Sequence, residues 1–192
     1  MAQKFIKTTF PKKQRCDILS PMINRTLSIL FLLISLTFPV AFGQTKQPSA
    51  LPPQVLNVGG EVAHPLKMSA TDLAKLPRQT VSAKDHDGKP TTFEGVALVE
   101  VLRLAGVEFG EKLRGKSLAL FLVVDAADGY RAVIALPELD PAFTDNIIIL
   151  ADRRDGKALS EQEGQWRVVV PSEKRQGRWV RQVVALTVRG AS

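Results

Sequence analysis

Cysteine is nearly missing from this 192-residue chain: the single one, Cys16, lies near the start, and none follows Gln44. Beyond that point there is no disulfide, no thiolate metal ligand and no cysteine nucleophile. Histidine is almost as scarce. His64 and His86 are the two present. No HxxxH or HExxH spacing puts two imidazoles on one helical face, which argues against a zinc centre and leaves both as loop residues. A GxSxG nucleophile turn with a histidine partner is absent too, as is GxGxxG, so serine hydrolysis lacks its residues. Asp85-His86-Asp87-Gly88 opens like a calcium loop but has neither the downstream oxygen ligands nor the terminal glutamate. It reads as a solvated turn, and Asp155-Gly156-Lys157 reads the same way.

Charge is abundant, but it is unevenly placed. The formal net charge is +7. Removing residues 1–43 reduces the 26 basic and 19 acidic residues by six and one, and leaves +2. The basic balance therefore belongs to the leader and gives no case for nucleic acid, which needs a basic patch on the folded domain. From Met22 the leader reads as a secretory signal peptide: Arg25 as a short basic region, an apolar run from Leu27 to Val40, then Ala41-Phe42-Gly43 with small residues at the cleavage positions. Cleavage is expected before Gln44, leaving a periplasmic or secreted protein. The apolar run is short for a span, so membrane contact is expected only if the signal stays attached. No arginine pair precedes the run, which points to the general secretory route rather than folded export. Residues 1–21 form an upstream extension, with Met22 a candidate initiator.

The polar, proline-bearing segment 44–54 is a linker, and one domain is expected over 55–190. Its strands are expected at Val55–Val58, resuming at Glu61-Val62 after a Gly59-Gly60 bulge, at Leu66–Met68, at Gln79–Ala83 and through Thr91–Phe93. Ser69-Ala70-Thr71-Asp72 starts a helix of about two turns that Pro77 stops. In Val96–Ala105, Leu98, Val101, Leu102 and Ala105 recur at i, i+3, i+4 and i+7, a buried stripe with Glu100 and Arg103 outside and Gly106 as the stop. Leu118–Leu136 is read as a central β-hairpin turning at Asp128-Gly129, its first strand apolar enough to be covered on both faces. A proline-bounded turn follows at Pro137–Pro141. Then come a strand at Ile147–Ala151, a charged turn over Asp152–Leu159, and strands at Trp166–Val170 and Val180–Val188. Strands outnumber helices and connections are short, so the class is α+β: a single compact domain with mixed or antiparallel sheets and a few short helices.

Two constellations carry possible chemistry. Asp125, Asp128, Tyr130 and Arg131 gather at the hairpin tip, either lining a polar site or keeping a turn soluble. Ser172–Trp179 (SEKRQGRW) concentrates Lys174, Arg175 and Arg178 in one loop. That loop either seats an anion with Trp179 as a wall or is a basic turn whose tryptophan caps the core.

The blocks NVGGEVAHPLKMSATDLAKLP, TTFEGVALVEVLRLAG, VVDAADGYRAVIAL, IIILADRRDGKAL and WRVVVP with GRWVRQVVALTV follow one another from Val55 to Val188. In that order they resemble the molybdopterin-binding domain of sulfite-oxidase-like oxidoreductases. The resemblance implies a compact α+β fold with mixed sheets and a molybdopterin cofactor. It also places a molybdenum-ligating cysteine around Val81–Asp85, where this chain has Val-Ser-Ala-Lys-Asp. The family's pterin-phosphate loop corresponds to the shorter SEKRQG, where Lys174, Arg175 and Arg178 match by charge, with Trp179, Asp128, Tyr130 and Arg131 as the remaining candidate cofactor-binding residues. No catalytic residue and no metal ligand transfer. The expectation is an exported, cysteine-free member of this fold that binds a small anionic ligand or a periplasmic protein and carries no cofactor. The alternatives are an active oxidoreductase with a non-cysteine molybdenum site and an accessory subunit of a periplasmic redox complex.

Overall fold

The computed structural model describes residues 54–86 and 88–191. The expected leader and nearly all of the 44–54 linker lie outside the described residues. In chain order the elements are β1 (Leu56–Gly60), β2 (Leu66–Met68), α1 (Ala70–Leu73), β3 (Arg78–Lys84), β4 (Pro90–Ala97) and α2 (Leu98–Leu104). The second half holds β5 (Leu120–Ala126), β6 (Arg131–Ala135), β7 (Ile149–Arg154), β8 (Lys157–Ala158), β9 (Arg167–Val169) and β10 (Val183–Gly190).

The strands form two sheets. One runs β2-β1-β10-β5-β6, with β1 and β10 parallel and the other pairs antiparallel. The other runs β3-β4-β7, with β8 and β9 sharing the far edge of β7, all antiparallel. Val168 N–H donates to Val180 O and Val183 N–H to Trp166 O, so β9 ties the second sheet to the segment that enters the first. This is the expected α+β domain with mixed sheets.

The hairpin forms where expected, but it is not central. β6 is an edge, and β10 occupies the middle of the sheet. Leu122, Val123 and Val124 of β5 are buried in succession, so both faces of that strand are covered as its apolar run requires. The tip closes with Gly129 at φ +86° and with the Asp128 carboxylate accepting from Tyr130 N–H.

Other boundaries shift for identifiable reasons. Gly59 and Gly60 belong to β1 and make no bulge. At Gly60, φ +87°, a Cβ would sit 2.1 Å from Val188 O, so the close passage of β10 demands glycine. Glu61 does not resume the strand; its carboxylate accepts from Gly190 N–H instead. Helix α1 has one α turn, capped by a reciprocal Ser69–Asp72 pair, and the Ser69 hydroxyl and N–H hold the Asp72 carboxyl down at about 2. Lys75 and Leu76 then bond three residues back because Pro77 keeps Leu76 from continuing an α-helix. Helix α2 begins at Leu98 because Val96 and Ala97 are still paired with Leu150 and Ile149. The charged segment after Ala151 is a hairpin rather than a turn. β7 continues through Arg154, and Asp155 and Gly156, both at positive φ, make the two-residue loop into β8.

The α2 stripe is as periodicity requires: Leu98, Val101, Leu102 and Ala105 are buried in the core shared by both sheets, while Glu100 and Arg103 pair outside at 2.6 Å. On the same helix Leu104 is 49% exposed. Leu102→Ala is therefore expected to cost about 2–5 kcal/mol, through lost transfer energy plus a cavity. Leu104→Ala should stay within about 0.5 kcal/mol of the parent. Urea midpoints at unchanged slope measure both.

Candidate functional site

The segment from Ser172 to Trp179 touches an edge of each sheet, and polar side chains fix it there. Gln176 Nε2 donates to Lys84 O at the end of β3 (2.7 Å). Arg178 Nη1 donates to Val133 O on the exposed edge of β6 (3.2 Å). From the hairpin tip, Tyr130 Oη donates to Gly177 O (2.5 Å). Trp179 then enters the core, where its indole N–H donates to Val170 O (2.9 Å) and its ring meets Phe93 edge-on.

Between this loop and the hairpin tip lies an open cavity of about 560 Å³, walled by Tyr130 and Trp179 and lined by His86, Asp128, Arg175, Gln176, Gly177 and Arg181. The structure thus brings Asp128, Tyr130, Arg175 and Trp179 together from the two constellations read in the sequence. Arg175 and Arg181 are exposed and make no ion pair or hydrogen bond among the described residues. Two unopposed guanidiniums beside a phenol, an indole and an imidazole suit an oxyanion with a planar neighbour.

The other three candidates do not line the cavity. Arg178 is committed to structure: its guanidinium pairs with Glu138 at 2.9 Å and with Glu173. The Arg178 hydrogen bond in turn holds the Glu138 carboxyl below the usual range. Arg131 pairs with Asp125 across the β5–β6 register, and Lys174 stands exposed outside the cavity wall. Both readings of Trp179 hold at once, since it walls the cavity and is also part of the core.

Below the cavity is a charge cluster that local reading of the sequence missed. Asp85 is not a solvated turn residue. It is 5% exposed and accepts from Arg167 Nη2 at 3.0 Å, with Arg154 also at 3.0 Å. Arg167 is buried, donates to Glu163 at 2.7 Å, and lies with its Cζ 5.1 Å from the Phe93 ring centroid and 5.2 Å from that of Trp179. Its Nε–H has no oxygen acceptor among the described residues. Burial works to raise the Asp85 and Glu163 carboxyls. At Asp85 the Arg167 and His86 hydrogen bonds and the nearby positive charges outweigh it, and at Glu163 the Ser160 and Arg167 hydrogen bonds do so. Both carboxyls end below their ordinary values.

His86 and Arg181 complete the lining; the sequence reading took His86 for a loop residue and Arg181 for part of the last strand, and only the fold sets them facing the loop. Among the described residues no group of three His, Cys, Asp or Glu side chains converges as a metal site.

Three comparisons with known proteins follow from this geometry. The family model of the oxidoreductase molybdopterin binding domain matches residues 50–191. Among solved structures, the sulfane dehydrogenase SoxCD from Paracoccus pantotrophus aligns with a TM-score of 0.57 at 22% identity, over 70% of this chain and 38% of that one. That likeness is one of fold, and the chain spans little more than a third of the SoxCD chain it matches. No curated protein matches.

The buried cluster yields a stability test. Arg167→Met leaves two carboxylates buried with only Arg154 nearby, at an expected cost of about 3–5 kcal/mol at pH 7. In the parent, both carboxyls titrate below their ordinary values of 3.8 and 4.5. Their contribution is complete above those values and is lost as pH falls through the depressed folded ones. In Arg167→Met burial raises the same carboxyls, so protonation relieves the strain and the deficit should narrow from pH 7 towards pH 4. Urea unfolding across that range decides; a deficit independent of pH would show that the cluster is not the source.

Proposed function

The chain belongs to the oxidoreductase molybdopterin-binding domain family, and from that premise we propose that it binds a small anionic ligand in the cavity between the hairpin tip and the 172–178 loop, without molybdenum chemistry of its own. The observation that carries this reading is the pair Arg175 and Arg181, unopposed by any carboxylate partner while every other guanidinium near the cavity is paired. Among the described residues Asp128 is the one carboxylate on the lining, and one of its oxygens accepts from the Tyr130 N–H.

The residues present fit the anionic part of molybdopterin and not its metal. Where the resemblance places the thiolate, Val81, Ala83 and Asp85 are the buried positions. Two have no donor atom, and the third is held by Arg167, Arg154 and the His86 N–H. Drawing Asp85 away to a metal would strand a buried guanidinium. Ser82, the other oxygen donor in the stretch, is exposed, so no buried side chain there is free to take the thiolate's place. Export as an unfolded chain, read from residues 22–43, is consistent with this, because a cofactor that needs a folded pocket does not travel with it. A periplasmic location and a protein partner there belong to the same proposal.

The test uses protein purified from its native cells. Molybdenum and tungsten should be absent by elemental analysis, and pterin fluorescence after oxidation should be at background. A ³¹P titration should show inorganic phosphate binding that weakens with added salt and that Arg175→Ala reduces by about tenfold, the loss of one charge-assisted contact of about 1.5 kcal/mol. Stoichiometric metal with pterin overturns the proposal in favour of an active oxidoreductase, and no phosphate binding removes the anion site.

A further inference from the structure

Alongside the cavity described above lies a smaller one of about 290 Å³, and the two share His86 and Arg181 as common wall. The smaller one is lined further by Arg154, Arg167, Asp85, Glu163 and Ser160. Its two carboxylates are spent: Asp85 on Arg167 and Arg154, Glu163 on Arg167 and the Ser160 hydroxyl. With those charges balanced, Arg181 supplies the excess positive charge of the smaller cavity, as Arg175 and Arg181 together do for the larger.

The backbone that presents Arg181 is unusual. Gln182, the next residue, sits at φ +51°, a region that side chains bearing a Cβ disfavour. Asp155 is the other non-glycine residue there among the described residues, and the β7–β8 turn accounts for it. No tight hairpin accounts for Gln182. It is held by its surroundings: its N–H donates to Glu163 O (2.8 Å), its carbonyl accepts from Ala127 N–H (2.9 Å), and its amide nitrogen donates to Gln162 O (3.3 Å). Gly164 completes the clamp, since a Cβ on it would lie 2.7 Å from Gln182 Cα. The turn under the smaller cavity and the hairpin tip beside the larger one thus converge on the residue after Arg181. Strained backbone that its neighbours over-determine is a mark of ligand clamps.

Resting on the anion-site reading above, we propose that the two cavities form one bipartite groove and that its ligand carries two linked oxyanion groups, as a diphosphate does. One oxyanion is taken by Arg175 in the larger cavity, the other lies at the mouth of the smaller one, and Arg181, fixed by the strained Gln182, spans both. A single phosphate engages the larger cavity and leaves the second side of Arg181 unused. A diphosphate engages both.

The experiment is a ³¹P titration of the full chain with inorganic phosphate and with inorganic pyrophosphate. Pyrophosphate should bind at least about tenfold more tightly than phosphate, the value of one added charge-assisted contact. Arg181→Ala should weaken phosphate by about tenfold and pyrophosphate by about a hundredfold, so that most of that preference is lost. Arg175→Ala should weaken both probes. Gln182→Gly, which keeps the guanidinium but frees its backbone, should reduce the preference by about threefold without lowering the urea midpoint. Arg189→Ala, a surface cation at the far end of β10, should change neither. Phosphate binding with no pyrophosphate preference overturns the bipartite groove and leaves the single-anion site standing. So does a loss in Arg181→Ala that is equal for the two probes, or one matched by Arg189→Ala. Failure of both probes to bind removes the anion site and the groove together.

Discussion

A buried guanidinium between two aromatic rings organises this domain. Transferring an ion of that size out of water costs several kcal/mol even after relaxation. Arg167 is tolerable only because Asp85, Glu163, Phe93 and Trp179 all reach it. They come from four places in the chain: the end of β3, the turn before β9, β4, and the segment leading into β10. None can move far without unpairing a charge or uncovering a ring. The cluster therefore sets the separation of the two sheets at the end where the cavity opens. An apolar residue placed there alone would leave Asp85 and Glu163 buried without their main counter-charge.

The same economy of partners separates structural from available charge in the 172–178 loop. Arg178, the last of the three cations of that loop, bonds Glu138, Glu173 and the Val133 carbonyl, and so covers an otherwise open edge of β6. Gln176 does the equivalent at the end of β3. With Tyr130 holding Gly177, the loop is fixed from three directions and Arg175 is left presented to the cavity. Preorganisation of this kind lowers the entropy lost when a ligand binds. It also means that this basic loop is mainly a fastening between sheets.

Most of the fold was legible because its signals are local and periodic. The i, i+3, i+4, i+7 stripe of α2, the Asp128-Gly129 reversal and the doubly covered β5 each need only neighbouring residues to be read. Boundaries moved where a distant strand decided them, as at Val96-Ala97, or where a close backbone approach did, as at Gly60. At the cavity, composition pointed to two of the segments that line it but could not assign the side chains. Glu138 lies 40 residues from Arg178, and Asp85 lies 82 from Arg167. From the sequence Arg178 looked free and Asp85 looked solvated, and in each case the missing information was a partner at long range. Arg181 carried no local signal at all. Its importance rests on Gln182, whose positive φ no residue type announces.

Electroneutrality links these observations to the proposed function. Around the two cavities stand four guanidiniums, of which Arg154 and Arg167 are balanced by Asp85 and Glu163. A carboxylate released to hold a metal would leave one of those cations without its counter-charge inside the protein. The cluster is therefore stable as it stands and resistant to conversion into a ligand set. Arg175 and Arg181 face the opposite situation: exposed to water, they cost little while unpaired, and an oxyanion is the partner their geometry lacks. Charge needed to hold the fold together has been neutralised within it, while Arg175 and Arg181 are left as unpaired cations lining the groove. This partition of charge is what supports the proposed anion site in the groove.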